Sequence, residues 1–370
     1  MEKTTKVLSA PTSVTLMITR RCNLRCLHCG SSPEQFLRED MSTKELLAVI
    51  DELTRCKVFH ISISGGEPLL YPDFFVIVDA IMRSPMRWQL DTNATLVTKE
   101  IAERLKGLPR RPFISVSLDG MTSETHERIR GPGSFVKTIT GIVTLRAAGL
   151  GVRPFMVLSR LNYRELPQIV DFVKSVGIKH LNITPPSGCG RAGQYAQEMA
   201  LRSAELREAL ETSLRIDESN PRLFTGPWAH MLSFYRKLKE GALAPQEGSD
   251  GVFKNCGAAR SSLTISCDGT VVPCDMSYTY RAGNLRDQPL TEIWRNSPVF
   301  SAIRQSRGMP LSQVHGCKEC AWRHTCQGPC PAGGYALTGI WPAAEPNCTI
   351  REIGRLFENE TVVQANGKVS

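Results

Sequence analysis

Six short runs of β-branched and apolar residues, each followed by a stretch of helical length, set the strongest limit on how this chain can fold. They are SVTLMIT from Ser13, VFHISIS from Val58, RWQLDTN from Arg87, FISVSLD from Phe113, RPFMVLS from Arg153 and KHLNITP from Lys179. Strand followed by amphipathic helix, repeated in this way, implies a parallel sheet with right-handed crossovers. The first helix announces itself with Ser42-x-x-Glu45, a capping box, and then sets Leu46, Leu47, Val49, Ile50 and Leu53 on one face. Six units are too few for an eight-fold barrel. The expectation is α/β, either an open partial barrel or a doubly wound sheet, with the chemistry at the C-terminal ends of the strands.

Past residue 200 the texture changes. Residues 201–255 begin helically (SAELREALETSLRI) and become rich in Gly, Pro and polar residues (GALAPQEGSDG), which reads as a bridging helix and linker. From Cys256 the cysteines are dense and regular patterns sparse. A core this thin calls for staples, and metal can supply them.

The chain has 13 cysteines in 370 residues. No run approaches about 18 apolar residues, and the N-terminus lacks an apolar core followed by a small-residue cleavage site. The expected setting is therefore the cytoplasm, where thiols stay reduced and close cysteine spacings point to metal ligation rather than disulfides. A net charge of +9 without a long basic block gives no argument for a nucleic-acid partner, and none is expected, nor is a membrane.

Three cysteines, Cys22, Cys26 and Cys29, lie in CNLRCLHC directly after the first strand. Cubane iron–sulfur clusters normally take four thiolates, so three would leave one iron open to a cosubstrate. An open coordination position is what separates a catalytic metal site from a closed structural one. The competing reading is a zinc site whose fourth ligand is distant, such as His28.

C-x3-C-x2-C at this place resembles the signature of the radical S-adenosylmethionine enzymes. The resemblance implies a [4Fe–4S] cluster that binds the methionyl amine and carboxylate at its unique iron and cleaves the sulfonium to a 5′-deoxyadenosyl radical. SGGEPLL ends the second strand, and Gly65, Gly66 and Glu67 match the family's motif at the methionyl amine. DTNATL resembles the family's T-N-G-T-L element, with Asn93 in place and Ala94 where glycine is common. Ser117 and Asp119 in SVSLDG match positions near the ribose, and Arg130 resembles a residue that reaches the methionyl carboxylate. Adjacent glycines at a strand end also let a backbone approach closely, and Glu67 is an acceptor suited to an ammonium group.

The C-terminal spacing Cys317-x2-Cys320-x5-Cys326-x3-Cys330, with Cys348 beyond and Cys256, Gly269 and Cys274 upstream, is similar to the seven-cysteine SPASM domain. That resemblance implies two auxiliary [4Fe–4S] clusters. Cys317, Cys320, Cys326 and Cys348 would hold one, and Cys256, Cys274 and Cys330 the other. A zinc ribbon over 317–330 is the competing reading. The domains expected are a partial (β/α)6 barrel at 13–200, a bridge at 201–255, a small cysteine-rich SPASM domain with a β-hairpin and irregular loops at 256–350, and a C-terminal helix or tail at 351–370.

Three cysteines remain. Cys56 ends the first helix and reads as a small core residue. Cys189 lies in the loop after the sixth strand, at the functional rim. Cys267 is tempting as a fourth auxiliary ligand. However, SSLTISCDGTVVPC reads as a hairpin turning on Asp268-Gly269, which pairs Cys267 with Thr270 and puts Cys274 roughly 13 Å away. The missing ligand is then an open iron, a noncysteine group or a residue not identified from sequence. Asp275, next to Cys274, is a candidate proton acceptor for a substrate radical, as the Cys-Asp pair of anaerobic sulfatase-maturating enzymes suggests; ordering of the loop is the alternative.

The function implied is radical modification of a ribosomally made peptide, as a crosslink or another oxidative or redox-neutral C–H functionalisation. Sulfatase maturation, chemistry on a tetrapyrrole or cofactor precursor, and an iron–sulfur electron carrier are the alternatives. The first strand starts by residue 13, so a separate leader-recognition protein is expected as a partner, with a flavodoxin- or ferredoxin-type electron donor.

Overall fold

The computed structural model describes residues 7–30, 36–246, 250–254 and 256–366. Ten strands form one sheet: β1 (Ser13–Met17), β2 (His60–Ser64), β3 (Arg87–Thr92), β4 (Phe113–Ser117), β5 (Gly151–Val157), β6 (Leu181–Thr184), β7 (Phe224–Thr225), β8 (Ser262–Ile265), β9 (Thr270–Val272) and β10 (Gly283–Asn284). Their order is β10-β9-β8-β1-β2-β3-β4-β5-β6-β7. All six expected strands are present, in chain order and parallel. Because β1 to β6 never reverse order, there is no switch point. The sheet winds one way, as in an open barrel rather than a doubly wound fold.

Period-two alternation sorts the two faces. Val14, Leu16, Ile61, Ile63, Leu90, Ile114 and Val116 are fully buried and share one core with Leu46, Ile50, Leu53, Ile77 and Ile81 of the covering helices. The alternate positions are mostly polar, and Ser64, Asp91 and Ser117 among them line the lumen cavity. The helix Thr43–Arg55 starts with the capping box read from sequence: Ser42 Oγ accepts from Glu45 N–H at 3.3 Å, and the Glu45 carboxylate accepts from Ser42 N–H at 2.8 Å.

The bridge holds more structure than its composition suggests. After the helix Ser203–Ser219, strand β7 extends the sheet, and a second helix runs over Pro227–Lys239. Trp228, Leu232 and Tyr235, at helical spacing, bury its inner face. Residues 240–246 are irregular, and 247–249 of the expected linker lie outside the described residues.

The hairpin of the cysteine-rich region is present, but it is not a separate sheet. Strand β8 pairs in parallel with β1, Ser13 opposite Ser262, and so continues the barrel sheet past its first strand. Its turn also differs from the expected two-residue form. Ser266 N–H bonds Thr270 C=O at 2.8 Å and Gly269 N–H bonds Ser266 C=O at 2.9 Å, with Gly269 at φ +83°. The loop is therefore Cys267-Asp268-Gly269, three residues with glycine in the left-handed position. Cys267 sits in the loop rather than opposite Thr270, is fully buried, and contacts Asp40.

Ser42→Ala removes one half of the capping box and should lower stability by about 1 kcal/mol. A shift in the urea midpoint with unchanged slope is the expected reading; no shift would mean that Glu45 caps alone.

Candidate functional site

The loop that carries Cys22, Cys26 and Cys29 leaves the end of β1 and is gripped by its neighbours' backbones. After β2, Gly66 N–H donates to Thr19 C=O and Glu67 N–H to Arg21 C=O, both at 2.8 Å. These approaches explain the two glycines. A Cβ on Gly65 would sit 2.5 Å from Thr19 O, and one on Gly66 would overlap the Arg20–Arg21 backbone. Beyond Cys26, Leu27 N–H bonds Ile129 C=O at 2.9 Å. From the β6 loop, Arg191 donates to Cys26 C=O at 2.9 Å and Ala192 N–H to Cys29 C=O at 3.2 Å.

Asp119 lies behind this loop with no exposed surface. Its Oδ2 receives Arg130 Nε and His28 Nε2, each at 2.6 Å, and its Oδ1 receives Val157 N–H at 2.8 Å. Burial would raise this carboxyl, but the Arg130 charge and the His28 contact hold it well below the usual carboxylate range. Arg130 also points Nη1 at Cys26 Sγ, 3.8 Å away. The nearby Arg128 is exposed and pairs with Glu198. Asp119 thus fixes Arg130 and His28, and those two, with Ser117, line the cavity.

Glu67 is likewise turned inward. It has no exposed surface, and its carboxylate accepts from Thr92 Oγ1 at 2.7 Å, Asn93 N–H at 2.8 Å and Leu69 N–H at 3.2 Å. It ties the β2 end to the β3 end and thereby places Asn93, whose Nδ2 reaches Asn23 Oδ1 at 3.0 Å and approaches Cys22 Sγ. Ala94 holds φ +60°, the left-handed conformation that favours glycine.

The thiols form three neighbourhoods. Burial pushes Cys26 up to about 11, and Cys29 and Cys22 add to the rise. Burial lifts Cys317 to about 12, with Cys348, Cys326 and Cys320 adding. Cys330 is raised to about 11 by burial, with Glu345 and Cys256 adding, and Cys274 is raised well above its ordinary value by burial, then by Asp275 and Cys330. Crowded thiols that resist ionisation alone are what a polycationic iron–sulfur core would stabilise as thiolates, so the donor sets fit such clusters. Among the described residues, no three His, Cys, Asp or Glu side chains converge tightly enough for a single metal ion. A cubane presents its irons at separate corners, so it accepts ligands spread more widely than zinc does. His28 Nε2 is engaged with Asp119.

One cavity of about 1470 Å³ joins the cysteine loop to the C-terminal cysteines Cys256, Cys326, Cys330 and Cys348. It has carboxylates that the motifs did not reveal. Asp91, on the lumen face of β3, is pushed up to about 7 by burial, Asp275 adding to the rise. Asp275 opens onto the same cavity and is raised by burial. The alternation of RWQLDT could have placed Asp91 in the lumen, whereas nothing local marks Arg191 or Glu345. Cys189 is buried and directs its thiol at Ala332 C=O, 3.8 Å away. Cys56 is half-buried against the core.

Residues 16–173 match the family described as the radical SAM superfamily, and residues 256–321 match an iron-sulfur cluster-binding domain, SPASM. The chain is 32% identical to the AdoMet-dependent heme synthase of Methanosarcina barkeri, over 93% of this chain and 97% of that protein. It is 30% identical to the mycofactocin maturase MftC of Mycobacterium tuberculosis, over 94% of this chain and 85% of that one. Its fold is shared with Streptococcus suis SuiB bound to the precursor peptide SuiA, at TM-score 0.70 and 19% identity over 93% of this chain and 76% of the other.

Two substitutions test the electrostatics. Asp119→Asn leaves Arg130 buried without its anion and should cost about 3 kcal/mol, with a matching loss of S-adenosylmethionine affinity by equilibrium binding. Asp91 ionises near 3.8 when unfolded and near 7 when folded, so stability falls as pH rises through that window. The stability advantage of Asp91→Asn should therefore grow between about pH 4 and 7 and level off above, towards roughly 4 kcal/mol at about 1.4 per pKa unit. An advantage that stays flat across those pH values would mean that a cation already neutralises Asp91.

Proposed function

The chain belongs to the radical SAM superfamily and carries a SPASM iron–sulfur domain, and we propose that it modifies a ribosomally made peptide by abstracting hydrogen from it. The observation that carries this reading is the single cavity walled on one side by the three-thiol loop and on the other by the C-terminal cysteines. When bound, the cluster at Cys22, Cys26 and Cys29 supplies the electron that cleaves S-adenosylmethionine to methionine and the 5′-deoxyadenosyl radical. Cys317, Cys320, Cys326 and Cys348 would hold one auxiliary cluster, and Cys256, Cys274 and Cys330 another.

The chain's own residues orient the reactants. Arg130, charged and held by Asp119, offers its remaining N–H groups to the methionyl carboxylate. The Gly65–Gly66 backbone and Asn93 shape the edge that the methionyl amine would meet, and Glu67 holds that edge in place. Ser117 stands toward the ribose. Asp275 faces the cavity and would take the proton as the substrate radical is oxidised, with the electron passing to the auxiliary clusters. The lumen wall excludes bulk water and oxygen from the radical.

The maturase relative supports the peptide reading. A porphyrin substrate is the second reading, favoured by the heme synthase that matches over 97% of its own length. The domain division at 13–200, 201–255, 256–350 and 351–370, a separate leader-recognition protein and a flavodoxin- or ferredoxin-type donor complete the proposal.

Anaerobically reconstituted protein should carry about twelve irons per chain. With a strong reductant it should release 5′-deoxyadenosine, and Cys26→Ala should abolish that release. Mass spectrometry of a short peptide encoded beside this chain should then show a mass change, while an iron porphyrin offered in its place should not change. Conversion of the porphyrin alone would select the second reading. The auxiliary role is tested by Cys320→Ala rather than by truncation, because removing β8 would strip a paired strand from β1. That variant should keep deoxyadenosine formation and lose product; full product would refute the role.

A further inference from the structure

Cys256, Cys274 and Cys330 leave one corner of a cubane without a cysteine. Cys267 cannot fill it, being buried against Asp40. Cys189 has its thiol on Ala332 C=O and does not line the cavity. Of the carboxylates that line it near these thiols, Asp275 beside Cys274 is the proposed proton acceptor and Glu345 stands beside Cys330. Glu345 shares the cavity wall with Cys256 and Cys330, and its charge is felt by the thiols of Cys330 and Cys189. Its Oε1 lies against Gly333, in the first turn of the helix Pro331–Thr338 that Cys330 caps; a Cβ on Gly333 would collide with it.

Glu345 is half-buried on this wall and accepts from Gly188 N–H. A half-buried carboxylate facing a group of thiols is one that a ligated metal would stabilise. Carboxylate oxygen is an accepted iron ligand, and here it would stand on the same helix terminus as a thiolate ligand.

We propose that the Glu345 carboxylate supplies the fourth ligand to the iron–sulfur cluster held by Cys256, Cys274 and Cys330. The inference rests on the reading of those three cysteines as cluster ligands. One oxygen donor among three thiolates gives that cluster a corner that is closed to small exogenous ligands. Gly188, which hydrogen-bonds Glu345, lies in the β6 loop that also supplies Arg191 to the first cysteine loop, so both metal neighbourhoods share one loop.

The test uses the full chain with Cys22, Cys26 and Cys29 replaced by alanine, so that only the C-terminal clusters contribute. This parent should bind about eight irons, and its reduced electron paramagnetic resonance spectrum should not move when cyanide is added. Glu345→Ala should either make one of the two signals respond to cyanide or lose about four irons. Glu345→Cys should restore the iron and the indifference to cyanide, and Cys189→Ala should behave as the parent does. The proposal is overturned if the parent itself responds to cyanide, if Cys189→Ala rather than Glu345→Ala gains the response, or if Glu345→Ala matches the parent in iron and spectrum. A parent without iron overturns the cluster reading itself, and deoxyadenosine release by the unaltered chain tests the radical reading separately.

Discussion

The catalytic end of this molecule depends on backbone hydrogen bonds that hold one loop from three sides. Residues after β2 grip the start of the cysteine loop at Thr19 and Arg21, Ile129 grips its middle at Leu27, and the β6 loop grips its end at Cys26 and Cys29. None of these contacts needs a particular side chain on the loop. Apart from the Arg191 guanidinium they need only backbones that come close, and glycine at positions 65 and 66 is what allows the nearest approach. Three thiols are thereby presented at fixed places on flexible polypeptide. A metal site assembled on a loop would otherwise pay the ordering entropy at each assembly.

Charge placement follows from the same framework. Asp119 and Glu67 are both fully buried, and neither lines the cavity. Each spends its lone pairs on the protein: Asp119 on Arg130, His28 and Val157, Glu67 on Thr92, Asn93 and Leu69. The acidic residues of the two strand-end motifs therefore act as organisers of Arg130, His28 and Asn93, which line the cavity. The carboxylates that do open onto the cavity, Asp91, Asp275 and Glu345, carry raised pKa values because burial outweighs the partners they have.

The strands and the first helix with its cap were readable because each is written in local spacing, whereas the two auxiliary cysteine sets came from the SPASM resemblance and span distant positions. Alternation marks a half-polar strand, Ser-x-x-Glu marks a helix start, and close cysteines mark a shared metal. The docking of β8 on β1 was not readable, since strand pairing uses the backbone groups every residue carries. The inward turn of Glu67 and Asp119 was hidden for a related reason: a motif states which residue stands at a strand end, not which way its side chain is satisfied. The hairpin loop was misjudged by one residue, because Asp-Gly serves two-residue and three-residue turns alike. Trp228, Leu232 and Tyr235 did carry a helical signal, masked by the Gly- and Pro-rich sequence that follows.

The pairing of β8 with β1 also bears on how the two cysteine regions act together. The strand that feeds the first cysteine loop is the same strand that receives the cysteine-rich hairpin, in register from Ser13 to Leu16. Cys274 lies two residues beyond β9, and Tyr278 after it is buried with its hydroxyl on Met17, the last residue of β1. Its surroundings include both Cys29 and Cys274. A shift of the hairpin along β1 by even one residue would reverse every inward side chain and part these groups. The spacing between the site that begins the radical chemistry and the nearest auxiliary thiol is thus set by β-sheet register, which is among the stiffest rulers a polypeptide has. The thinly structured remainder of the C-terminal region can rely on metal ligation for its stability because this one distance does not depend on it.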